Sequence, residues 1–145
     1  MKKIISMVFI LTIILSFTAE AKTVTKEQIN GYSISVTQSK GKTVVKWNGR
    51  KIRSYKFKGK VKIVSERKLT EKMLLRRKSK TLYIERIIGK VINNRLDGET
   101  TEGHYMCYKS LKDKVHKGDV VITYCVYNPF TRWIDDIDER YDIIL

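Results

Sequence analysis

Proline occurs once in this chain of 145 residues, cysteine twice and histidine twice. So little Pro, with only eight Gly, excludes a Pro-rich or Gly-rich linker protein. The histidines, His104 and His116, stand at no zinc-ligand spacing from Cys107 and Cys125. No glycine-rich phosphate cradle, serine-hydrolase motif, internal repeat or low-complexity segment is present. The residues therefore indicate no metal, no cofactor and no small-molecule substrate. Carboxylates are scarce in one region only. Residues 22–90 hold 21 Lys and Arg against 4 Asp and Glu, net +17, whereas residues 91–145 hold 7 against 10, net −3. Self-repulsion in the basic part weakens the fold unless a counter-charge lies near. That counter-charge is either the acidic C-terminal part or an external polyanion.

A long apolar run is lacking too. The best candidate, Ile4 to Phe17, is too short to cross a bilayer of ~30 Å as a helix. It follows the cationic Met1-Lys2-Lys3 and precedes Ala19-Glu20-Ala21, the small-x-small pattern of a signal-peptidase site. The pattern predicts a signal peptide over 1–21 and a mature chain starting at Lys22. The product is then secreted, extracellular or held at the cell envelope. No cysteine near Ala21 offers a site for a lipid anchor.

The remaining 124 residues (145 − 21) suit one small β-rich domain. It divides into a basic β-hairpin region over 22–64, a short helix and basic loop over 65–80, and a main sheet over 81–145. Tyr32-Ser33-Ile34-Ser35-Val36 alternates as a half-buried strand does. Asn48-Gly49 is a tight-turn dipeptide, because both residues tolerate positive φ. Ser65 reads as the N-cap of a helix reaching Lys78, with Leu69, Met73 and Leu74 at helical spacing. Thr81 to Asn93 reads as a long strand, with Leu82, Ile84, Ile88 and Ile92 on one face, and 94–103 as a polar loop. His104 to Lys109 reads as a strand, followed by a helical turn from Ser110. Asp119 to Tyr127 is β-branched or aromatic at nearly every position, the mark of a strand inside a sheet. A helical turn over 132–139 and a short final strand complete the chain. The fold class expected is mainly β (α+β): a small, strongly bent sheet or barrel, OB-like or SH3-like, with one or two short helices.

The best binding candidate is a row of lysines. Tyr55, Phe57, Val61 and Ile63 share one parity, and Lys56, Lys58, Lys60 and Lys62 share the other. Within one strand the four ammonium groups would lie ~6.7 Å apart along an outward face. With Lys46, Trp47, Arg50, Lys51 and Arg53 nearby, such a row suits an anionic polymer or surface: a cell-wall phosphate polymer, membrane headgroups or nucleic acid. The competing reading is an edge strand kept soluble by lysines. The acidic cluster Asp135, Asp136, Asp138, Glu139 and Asp142 lacks the spacing of a calcium loop and reads as a solvated face or a partner for the lysines.

Cys107 and Cys125 are candidates for a disulfide in an exported chain; the alternative is two buried thiols. His104, Cys125 and Arg132 supply the residue types of exported Cys-His-Arg transpeptidases. Gly103-His104, Lys117-Gly118-Asp119 and Ile122-Thr123-Tyr124-Cys125 resemble pieces of the sortase pattern. That resemblance implies a thiol enzyme with Cys125 as its nucleophile. The spacing departs from it, since only 20 residues separate His104 from Cys125. The functional expectation is an exported, non-enzymatic domain that binds an anionic polymer or surface at the cell envelope. A protein–protein interaction module and a sortase-like thiol enzyme are the alternatives.

Overall fold

The computed structural model describes residues 21–92, 95–97 and 114–145. The chain is mainly β, as expected, but its sheets do not close into a barrel. The first sheet is an antiparallel meander of β1 (Lys22–Ile29), β2 (Tyr32–Ser39), β3 (Lys42–Trp47) and β4 (Arg50–Tyr55). The second has the order β5 (Lys60–Ser65), β6 (Thr81–Ile92), β8 (Val120–Tyr127), β9 (Ile137–Ile144), with the short β7 (Arg95–Asp97) also paired to β6. Among the described residues one helix, α1 (Glu71–Leu75), crosses between β5 and β6, which run parallel.

Turn chemistry explains the first sheet. Asn30-Gly31, Lys40-Gly41 and Asn48-Gly49 each place both central residues at positive φ, with the Asn48-Gly49 pair at 50° and 78°. That is the two-residue hairpin geometry whose twist matches its flanking strands. β1 itself is absent from the expectation, because Lys22 to Ile29 is polar at most positions and lies at a sheet edge.

The second sheet is the middle layer. One face of β6 and β8 presents Leu82, Ile84, Ile122, Tyr124 and Val126 to Ile34, Val36 and Val45 of the first sheet. The other face presents Tyr83, Ile87, Cys125 and Tyr127 to Leu74 of α1. β8 is therefore covered on both faces and paired on both sides, with β6 and β9. Each fully buried large apolar side chain contributes ~1.5–3 kcal/mol, against ~0–1 kcal/mol for an exposed ion pair. The interlayer core, not the charge pattern, holds the fold.

Several expectations are corrected. Residues 52–64, expected as a third strand pair or one bent strand turning at Gly59, are two strands that do not pair: the chain leaves the first sheet after Tyr55 and enters the second at Lys60. The helix is capped by Thr70, whose hydroxyl accepts from the Met73 amide at 3.2 Å, while Ser65 closes β5. Ile88 shares the parity of Leu82 and Ile84 yet is 59% exposed, beyond the cover of the first sheet. Within the expected loop after β6, residues 95–97 pair with β6. The C-terminal region forms the eight-residue β9 instead of a helical turn and a short strand. The strand read over 104–109 and the turn after it lie outside the described residues.

Candidate anion-binding face

The lysine row does not exist as one line. Lys56 and Lys58 stand on the connection between the sheets, and Lys60 and Lys62 on β5, an edge strand. All four are exposed, but β5 has the arrangement by which lysines protect an edge from pairing. Lys58 lies along the neighbouring hairpin: a Cβ placed on Gly41 would come 2.6 Å from its Cε. Trp47 is not a free platform either. It stacks on Tyr141 of the second sheet with ring centroids 4.7 Å apart and on Tyr32 at 5.8 Å. Arg53 lies 4.0 Å from Asp138, which holds its guanidinium pKa above the ordinary value. Arg50 is exposed at the β3–β4 hairpin.

Lys46 remains, and the register gives it new neighbours. Lys26 pairs with Ser35, Ser35 with Lys46, and Lys46 with Lys51. All four residues point away from the core, on the parity opposite Ile34, Val36 and Val45. At ~4.8 Å between strands, Lys46 and Lys51 are immediate neighbours and Lys26 lies ~10 Å from Lys46 across the serine. Like charges directly opposite one another destabilise a strand pair. Ser33, Ser35 and Ser39 add half-buried hydroxyls along β2. At the β2–β3 hairpin the same face opens into a shallow depression of about 270 Å³, lined by Ala21, Thr37, Ser39, Lys40, Lys42 and Val44.

No carboxylate of the first sheet offsets these cations. Glu27 is the only acidic residue between positions 22 and 65. Its side chain points inward, accepting from the Tyr124 hydroxyl at 2.7 Å and from the Arg86 guanidinium. The C-terminal acids are engaged elsewhere. Asp138 accepts from the Tyr55 hydroxyl at 2.7 Å, and Asp142 from the Thr123 hydroxyl at 2.6 Å. Burial raises the pKa of Asp142. Asp135 and Asp136 act on Arg77. Only Arg53 among the candidate binding residues meets an acid of that cluster.

Cys125 is fully buried between Leu74, Tyr83, Ile87 and Tyr127 and pairs in register with Glu85. Such a sulfur is not presented to a substrate, and a thiolate there would face a carboxylate. Cys107 and His104 lie outside the described residues, and so do the proposed disulfide and the histidine of the thiol-enzyme reading. Arg132 is exposed on the loop between β8 and β9. Among the described residues no cluster of His, Cys, Asp or Glu could hold a metal ion.

Two contributions were not legible from spacing. Lys26 joins Lys46 and Lys51 only through pairing between strands. Arg77, read as part of a basic loop, is 1% exposed. It donates to the carbonyls of Leu74 at 2.7 Å, Asn128 at 2.9 Å and Trp133, and lies over the Tyr127 ring. Comparison with protein-family models, curated proteins and solved structures finds no match.

Proposed function

We propose that the chain is an exported, non-enzymatic domain that binds an anionic polymer or surface through the outer face of its first sheet. The carrying observation is the cross-strand set Lys26, Lys46 and Lys51, on a sheet whose single carboxylate is turned inward. None of these lysines has an ion pair among the described residues. Natural sheets avoid opposing like charges without compensation. A row of phosphates or carboxylates supplies that compensation from outside, and counterion release drives the association. Serine hydroxyls between the cations can donate to the same anionic oxygens. Edge protection explains Lys60 and Lys62 but not this face, whose central members Ser35 and Lys46 lie on inner strands.

The test is the triple variant Lys26→Gln, Lys46→Gln, Lys51→Gln, with inorganic polyphosphate and single-stranded DNA as probes. Binding falls, and the slope of log K against log salt flattens by about 2, at ~0.7 for each lysine replaced. The thermal melt stays level or rises. Unchanged affinity and slope in a folded triple variant would end the proposal.

A further inference from the structure

The loop between β8 and β9 carries the densest exposed apolar surface among the described residues. Phe130 is 40% exposed, Trp133 74% and Ile134 40%. Single exposed apolar side chains are ordinary, but three within five consecutive positions form a patch. Its backbone is tied down. The Asn128 amide donates to the Asp136 carbonyl at 3.0 Å, closing the loop. The Phe130 amide donates to the Asn128 side chain at 2.8 Å, and the Ser79 amide to the Pro129 carbonyl at 2.6 Å. Buried Arg77 donates to the Asn128 and Trp133 carbonyls and to the Thr131 hydroxyl. The rings are held outward by a fixed frame, and Phe130 alone packs edge-on against Tyr55 and Phe57.

The charge around this patch is positive. Arg132 lies within it, and Arg76, Lys78 and Lys80 belong to the segment that Ser79 and Arg77 tie to the loop; all four are exposed. Against them stands exposed Asp135, while half-buried Asp136 faces the buried Arg77 charge. A projecting Trp with flanking aromatic and aliphatic side chains, ringed by cations, matches the interfacial zone of a bilayer with anionic headgroups.

We infer that the 128–136 loop docks onto the surface of an anionic lipid bilayer, with Trp133 entering the headgroup region and Arg132, Lys78 and Lys80 on the lipid phosphates. The inference goes beyond the polymer-binding face, uses none of its residues and stands or falls separately. The test uses the full chain with vesicles of phosphatidylcholine mixed with phosphatidylglycerol, against phosphatidylcholine alone. The apolar stretch over 4–17 is common to wild type and variants and contains no Trp, so only differences between them are read. Anionic vesicles shift the wild-type tryptophan emission to the blue. Trp133→Ala abolishes the shift and lowers vesicle affinity on the order of tenfold. The variant Arg132→Gln, Lys78→Gln, Lys80→Gln loses about fivefold per charge removed. Both variants keep the wild-type melt and the wild-type affinity for polyphosphate. The inference is overturned by wild-type emission that does not move, by Trp133→Ala binding anionic vesicles as wild type does, or by a Trp133-dependent dimer in sedimentation without lipid.

Discussion

Arg77 and Asp142 show how differently two charged side chains are accommodated. Burial lowers the Arg77 pKa, opposed by the nearby carboxylates of Asp136 and Asp135. The planar guanidinium reaches several acceptors at once, which a lysine ammonium cannot do from the same stem. Arg77→Ala leaves buried carbonyls without donors, at ~1–3 kcal/mol for each group that water cannot reach. We expect it to destabilise the protein by about 2–4 kcal/mol in denaturant unfolding, with Arg77→Lys recovering only part. Asp142 has the opposite character. Desolvation raises its pKa above the ordinary 3.8, against the hydrogen bond from Thr123 and the charge of Arg140. Folded Asp142 therefore holds its proton more tightly than the unfolded chain does. Its contribution favours the fold below pH 3.8 and is lost as the pH rises through the folded pKa. Asp142→Asn, whose side-chain oxygen can still accept from Thr123, melts higher than wild type at neutral pH. The gap narrows as the pH is lowered through the folded pKa and is smallest below 3.8. An equal gap at both pH values would refute the assignment.

Among the elements, the passage from the first sheet to the second is the most constrained. Gly59 sits where a Cβ would come 2.3 Å from the Lys80 carbonyl and 2.3 Å from the Phe57 ring. The neighbouring Lys60 amide donates to that same carbonyl at 3.0 Å, starting the parallel β5–β6 pairing. Gly59→Ala must push the entering strand off its partner or force Phe57 out of the core. We expect a loss of at least ~2 kcal/mol in chemical denaturation, and early amide exchange along β5. An alanine variant as stable as wild type would show that the connection yields without cost. β9 makes the complementary point. Residues Ile137 to Ile144 carry acids at helical as well as strand spacing, so local pattern does not decide between the two. Pairing with β8 from Val121↔Ile144 to Tyr127↔Ile137 does.

At the scale of the molecule, the first sheet stands out by its want of carboxylates. The first sheet and its turns hold eight Lys and Arg between residues 22 and 55, against Glu27 alone. The layers meet at few charged points: Glu27 with Arg86, and Arg53 with Asp138. Neither pair neutralises the outer face. For the Lys26, Lys46, Lys51 triple variant this argues a melt at or above wild type, by up to ~1 kcal/mol, because solvated pairs contribute little and repulsion is relieved. Added salt should raise the wild-type melt more than that of the variant, since it screens only what the variant has removed. A lowered melt would mean that those ammonium groups support the fold.

The sequence by itself determined the β class, the buried character of the strand over 120–127, the Asn48-Gly49 hairpin and the concentration of positive charge before residue 91. Each follows from local chemistry: β-branched and aromatic runs, tolerance of positive φ, and composition. Tertiary structure alone decided which lysines stand together. Alternation along 55–63 is real in burial, yet the chain changes sheets within it, so shared parity there does not mean a shared surface. Lys26 lies twenty residues before Lys46 and joins Lys46 and Lys51 only because hairpin register lines the three up across strands. The same holds for Arg77 and the Trp133 loop, joined by hydrogen bonds across more than fifty residues. Sequence spacing reports neighbours along one element, whereas strand pairing and burial decide neighbours between elements.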